Sequence, residues 1–211
     1  MIETIIAYFS DFTLVKAIDM AGLVLGLVYL WLEFKANIWL WLVSVIMPIV
    51  HGYLYWARGL YADFGMEVYY VLAAVYGYAT WRWAHGHGKN GENGEQTGER
   101  PITRFPMRQV LPVAIVGLAL WGIIYWILIT WTDSSVPVCD SFTTALSMVA
   151  LWALAQKYAE QWLLWLVVDL VCTVLYVYKQ IPFTAALYGF YTVMAVLGYR
   201  QWLMKISTQT A

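Results

Sequence analysis

The chain has 211 residues, 62% of them hydrophobic and only 12% charged, with a formal net charge of −1. A mean hydropathy of +0.64 leaves too little polar surface for a water-soluble enzyme, and the balanced charge, with no basic helix or arginine-rich tail, excludes a nucleic-acid partner. The charges sit in short clusters between apolar blocks of about 20 residues, the length that crosses a bilayer core as helix. The chain therefore reads as a polytopic membrane protein.

In chain order, residues 1–16 carry Glu3, Asp11 and Lys16 around an apolar stretch too short to span, which predicts an N-terminal interfacial segment. The segment lacks a basic start and a small-residue cleavage site, so no cleaved signal peptide is expected. Seven apolar spans follow at 17–34, 37–57, 62–83, 108–130, 139–156, 160–179 and 183–204. Period-two alternation is absent, which favours helices over a transmembrane barrel. The domains are a first three-helix bundle at 17–83, a flexible cytoplasmic loop at 84–107, a linker helix at 108–130, a second three-helix bundle at 139–204 and a C-terminal tail at 205–211. The loop is glycine-rich, and the glycines flanking His85 and His87 cannot orient metal ligands, so neither metal nor cofactor is expected. Cys139 and Cys172 make no disulfide framework and read as packing residues.

Lys35, Arg82, Lys89, Arg100, Arg104, Arg108, Lys157, Arg200 and Lys205 fall on one side of the membrane, against Lys16, Arg58 and Lys179 on the other. The positive-inside rule then places the C-terminus in the cytoplasm and the N-terminus outside. Aromatic residues near span ends, among them Trp56, Tyr61, Trp81, Trp83, Trp131 and Trp202, suit the headgroup layer.

An internal repeat links the two bundles. Gly77-Tyr78-Ala79-Thr80-Trp81 closes the third span, and Gly198-Tyr199-Arg200-Gln201-Trp202 closes the seventh, 121 residues later. The segment from Lys35 to Trp41 opens span two, as that from Lys157 to Trp165 opens span six at a similar offset. Two odd-numbered bundles joined by one extra helix point the same way, which predicts an all-α membrane protein of seven transmembrane helices in a 3+1+3 parallel-repeat, SWEET-like arrangement. Such repeats place the substrate between the halves near mid-membrane.

A carboxylate within hydrocarbon is costly, about 2.5–3.5 kcal/mol for an Asp at a helix centre, so acids inside spans mark a site. Asp169 lies mid-span, and helical spacing lines Trp162, Trp165, Asp169, Cys172 or Thr173 and Tyr176 along one stripe. An indole one turn before a carboxylate suits a flat cationic ring, stacked on its face and paired at its edge. Glu67, with Tyr70 beside it, is the second acid, and Trp41 and Ser44 on span two complete the candidate substrate-binding set. Asp63, Asp19 and Asp140 sit near span starts, where acids cap helices. Gly22 and Gly26 form a packing motif, and Pro48 and His51 suggest a kinked, structurally satisfied stretch of span two.

Seven spans, parallel halves, Tyr-Ala-x4-Glu in span three and Trp162-Leu163-Leu164-Trp165 with Asp169 in span six together resemble the PnuC family of bacterial vitamin transporters. The likeness runs from about Ile18 to Trp202 outside the glycine-rich loop and is strongest from Asp140-Ser141 through Lys157-Tyr158 to Trp165. The resemblance implies a multi-pass carrier of the bacterial inner membrane. It would move a vitamin down its gradient without a coupling ion, rely indirectly on a cytoplasmic kinase to trap the vitamin, and assemble as a homotrimer. Nicotinamide riboside carriers of this family place Asn at Asp169 and Gln at Glu67. Two acids in place of two amides fit thiamine, with its cationic thiazolium and its aminopyrimidine, and the thiamine branch called PnuT; nicotinamide riboside, itself a cation, is the alternative. A membrane enzyme is disfavoured by the lack of His-Glu-x-x-His and Gly-x-Ser-x-Gly motifs, and a retinal protein by the lack of a lysine midway along the last span. Sequence does not separate a carrier from a passive channel.

Overall fold

The computed structural model describes residues 14–57, 61–83, 100–132, 134, 136–178 and 182–209. These hold seven helices: α1 (Leu14–Lys35), α2 (Leu40–Ala57), α3 (Tyr61–Arg82), α4 (Met107–Trp131), α5 (Pro137–Ala155), α6 (Gln161–Tyr178) and α7 (Pro182–Gln209). Each overlaps one apolar block, because a segment without water must satisfy its backbone internally and helix does so within the segment. By length and composition α4, α5 and α6 are each sufficient to cross a membrane.

The ends differ from expectation in three places. Residues 1–13 of the interfacial segment lie outside the described residues, while 14–16 belong to α1 itself. Residues 205–209, read as a tail, continue α7. Residues 84–99 of the loop lie outside the described residues, but residues 100–106 form an extended strap rather than a free linker. The Arg100 N–H donates to the Trp81 carbonyl, the Thr103 N–H to the Lys157 carbonyl and the Ala159 N–H to the Thr103 carbonyl. The Phe105 N–H donates to Glu160 Oε2 at 2.7 Å, and the Phe105 ring meets Trp152 and Tyr158 edge-on. Ile102 is buried beneath. The strap is thus held across the α5–α6 turn by backbone bonds that no hydrophobic period signals.

The chain divides into two compact units, residues 1–75 and 76–211. An offset of 121 residues relates their internal geometry. At this offset α2 and α6 share both limits, and α3 and α7 share their first residue. The turn before α2 has the Ala36 N–H on the Glu33 carbonyl and the Asn37 N–H on the Leu32 carbonyl; the turn before α6 has Lys157 on Leu154 and Tyr158 on Ala153. Both are Schellman caps, in which a left-handed residue closes the helix. Ala36 (φ 54°) and Lys157 (φ 53°) occupy that position in place of the usual glycine. The bonds opening α2, Leu40 to Asn37 and Trp41 to Ile38, recur as Gln161 to Tyr158 and Trp162 to Ala159.

The repeated tryptophans are interior residues. Trp41, Trp81, Trp162 and Trp202 are all essentially inaccessible, which corrects the headgroup-layer reading of Trp81 and Trp202. Trp81 Nε1 donates to the Leu154 carbonyl at 3.2 Å, and Lys157 Nζ lies 4.0 Å over its ring, a cation–π contact in a buried setting. Trp162 meets Trp202 edge-on at 6.0 Å and fills the space where a side chain on Gly198 would stand. Trp56, Trp83 and Trp131 are exposed, as an aromatic belt requires; the Tyr61 side chain is outside the described set.

Candidate functional site

In the second unit the site is built on α6. Its buried residues Gln161, Trp162, Val168, Asp169, Cys172 and Leu175 recur at helical spacing, with Trp165 half-buried on the same stripe. Asp169 is only 6% exposed. The Thr173 hydroxyl donates to the Asp169 carbonyl at 2.7 Å, and no cationic side chain of the described residues pairs with the Asp169 carboxylate. The Trp165 and Trp162 indole N–H groups and both amide atoms of Gln161 are buried without a hydrogen-bond partner among the described residues. Gln161, Trp165 and Asp169 thus share one stripe of α6 at four-residue spacing, and the Gln161 amide and Trp165 indole N–H on it have no hydrogen-bond partner among the described residues.

α7 contributes a tyrosine wall. Tyr188 stacks on Tyr176 of α6 with ring centroids 5.3 Å apart and planes 18° from parallel, and Tyr191 meets Tyr188 edge-on. Asp169 is within electrostatic reach of both Tyr188 and Tyr191, and Cys172 of Tyr188. Sequence reading missed Gln161, Tyr188 and Tyr191. Trp162, expected to touch ligand, is buried at the start of α6 against Gly198 and Trp202.

In the first unit Glu67 of α3 faces His51 of α2, with Nδ1 and Oε1 3.7 Å apart. Tyr70 lies within electrostatic reach of Glu67 and meets Tyr69 edge-on. Trp41 is buried, and the Ser44 hydroxyl donates to the Trp41 carbonyl at 2.9 Å, within its own helix. Asp140, read as a cap, sits in the first turn of α5 instead; the N-cap is Val136, and the Asp140 carboxylate accepts from Ser134 Oγ at 2.7 Å.

The 121-residue offset matches these two clusters position by position. Ser44, Pro48 and His51 correspond to Trp165, Asp169 and Cys172, while Glu67 and Tyr70 correspond to Tyr188 and Tyr191. Each of these two matched clusters therefore carries one carboxylate, in the first on the third helix of the repeat and in the second on the middle helix.

A family model described as nicotinamide mononucleotide transporter matches residues 16–204, nearly the whole chain. The chain belongs to this family, the PnuC transporters. The nicotinamide riboside transporter PnuC of Escherichia coli is 21% identical over 210 residues, covering 88% of this chain and 84% of that one. The riboflavin/roseoflavin transporter RibM of Streptomyces davaonensis is 25% identical over 189 residues, 89% and 84% of the two chains. The crystal structure of the vitamin B3 transporter PnuC superposes with a TM-score of 0.64 at 25% identity, covering 88% of this chain and 80% of that one. The PnuC match makes the chain a multi-pass membrane transporter of the bacterial inner membrane and not an enzyme.

Proposed function

We propose that this PnuC-family protein carries a cationic aromatic vitamin, thiamine in the first instance, into the cell as a uniporter by alternating access. The observation that carries the reading is Asp169, a carboxylate in a membrane helix, buried and without a cationic partner among the described residues. A charge so placed is stabilised by a ligand of opposite sign. Trp165 offers its ring to stack on the vitamin, Gln161 its unpaired amide to ring nitrogens or amines, and the Tyr188 and Tyr191 wall a face for cation–π contact. Glu67 with Tyr70 supplies a second station for positive charge in the first unit. Trp41, Ser44 and Trp162 support these stations through packing and helix geometry.

A 3+1+3 organisation, with α4 as the adaptor between two copies of one three-helix unit, belongs to the same reading and is supported by the matched helix limits and caps. The Lys and Arg distribution supports a cytoplasmic C-terminus and an external N-terminus. Assembly as a homotrimer and metabolic trapping by a cytoplasmic kinase complete the proposal.

Nicotinamide riboside is the second reading. It is favoured by the named substrate of the E. coli relative and is also cationic. Riboflavin, named for RibM, carries no positive charge to pair with Asp169. The test is uptake of labelled thiamine, nicotinamide riboside and riboflavin into proteoliposomes by the wild type and Asp169→Asn. Loss of a buried charge-assisted contact costs about 1.5–3 kcal/mol, so half-saturation for the cationic vitamin should rise about 10- to 100-fold. Unchanged uptake would remove Asp169 from the site.

A further inference from the structure

Four arginines gather where the strap joins the ends of α3 and α4. The Arg100 N–H donates to the Trp81 carbonyl at 3.1 Å, which sets Arg100 beside Arg82, the last residue of α3. Arg104 follows on the strap, and Arg108 stands in the first turn of α4. Arg82, Arg104 and Arg108 are exposed and Arg100 is half-buried; among the described residues none of the four joins an ion pair. The charges beneath the strap are occupied otherwise. Glu160 Oε2 accepts from the Phe105 N–H, and Lys157, 3% exposed, lies over the Trp81 ring. Two apolar side chains project from the same stretch, Trp83 at 71% and Met107 at 83% exposure. We propose that this rim is a docking surface for the anionic headgroups of phospholipids, which hold the strap against the α5–α6 turn from outside.

The placement suits a lipid. α4 is apolar along its length and has no buried residue, so its first turn stands at headgroup depth with lipid beside it. Guanidinium binds phosphate through two parallel N–H donors, an indole favours the headgroup layer, and basic residues next to a span are drawn to anionic lipid. Membrane orientation alone requires only that the cations lie on one side. Here they are also fixed: the Thr103 N–H and carbonyl are both bonded to the α5–α6 turn, so the arginines lose less freedom on binding than cations of a free loop would. The four residues from Arg100 to Arg104 extend at most about 14 Å, which spreads the charge along an edge, as a row of headgroups needs and a single free phosphate does not. Residues 157–160 run directly into α6, which carries Asp169, so headgroups that hold the strap also steady the base of that helix. The inference needs only a membrane-spanning chain and is independent of which vitamin is carried.

The full-length protein in a neutral detergent is titrated with phosphatidylglycerol and separately with phosphatidylcholine. Retained lipid is counted by native mass spectrometry, and hydrogen exchange is followed at the Thr103 and Phe105 amides. The wild type should hold phosphatidylglycerol at least about fivefold more tightly than phosphatidylcholine, and only phosphatidylglycerol should slow the two amides. Arg104→Gln should weaken phosphatidylglycerol about fivefold, Arg104→Lys should keep most of the affinity, and Arg200→Gln, a cation of α7 off the strap, should change little. The wild-type comparison is diagnostic by itself if a variant does not purify. Equal retention of the two lipids by the wild type, or an equal loss from Arg200→Gln, overturns the proposal. Equal protection of the amides by inorganic phosphate alone would make the rim a phosphate site, and capture of polyglutamate without preference between the lipids would assign it to an acidic protein segment; either result overturns the lipid assignment.

Discussion

Gly198→Ala tests the repeated packing unit at its tightest point. A methyl at this position in α7 would lie 2.5, 2.6 and 2.7 Å from three carbons of the Trp162 ring. All three distances are well inside van der Waals contact, and the obstacle is a rigid bicycle rather than a flexible chain. Trp162 has no room to retreat: it is 2% exposed and abuts Trp202, which is 0% exposed. Overpacking a filled core costs typically 1–3 kcal/mol, and with both tryptophans immobile we place this case near about 3 kcal/mol. Thermal unfolding in detergent, followed by tryptophan fluorescence, should show a clear loss of stability. Gly189→Ala on the same helix, where an added methyl meets nothing within 4 Å, should be neutral or up to about 1 kcal/mol stabilising through helix propensity. Trp162→Leu makes room for the methyl, so in combination with Gly198→Ala it should cost less than the two single changes together. An unaltered melting temperature for Gly198→Ala, or strict additivity in the double variant, would refute the reasoning.

Three further outcomes follow from the same structure. Ala36→Gly should stabilise by about 0.5–1 kcal/mol, since relief of a left-handed L-residue exceeds glycine's greater chain entropy; chemical denaturation would show it, and a loss of stability would contradict the cap. Glu160→Ala removes the acceptor of the Phe105 N–H, a contact of about 1.5–3 kcal/mol, so hydrogen exchange at the Phe105 amide should accelerate at least tenfold while the α6 core stays protected; unchanged exchange would mean the strap is held without it. Trp165→Ala should weaken vitamin binding by about 1–2 kcal/mol through lost stacking, read by calorimetry, with folding intact because the side chain is only half-buried; unaltered affinity would exclude Trp165 from ligand contact.

The seven helices were legible because apolar block length is a direct consequence of bilayer thickness. Asp169 was legible for the complementary reason, a charge standing inside such a block. Facing was less legible. Trp81 and Trp202 lie at the depth of an aromatic belt, but depth does not say whether a ring turns to lipid or to protein, and both turn inward. Gln161 stood at a span end, where a polar residue reads as solvated; its match with Leu40 at the strict 121-residue offset was the available signal. Tyr188 and Tyr191 were hidden among 16 tyrosines and become visible only as the repeat equivalents of Glu67 and Tyr70. The strap at 100–106 rests on backbone hydrogen bonds, which leave no pattern in side-chain type.

The most direct test of the central claim is calorimetric binding of thiamine, nicotinamide riboside and riboflavin to the purified protein and to Asp169→Asn, side by side. The account requires a cationic vitamin to bind the wild type tightly, thiamine in the first instance, and to lose about 10- to 100-fold in affinity when the carboxylate is neutralised. Tight binding of riboflavin alone, indifferent to Asp169, would contradict it.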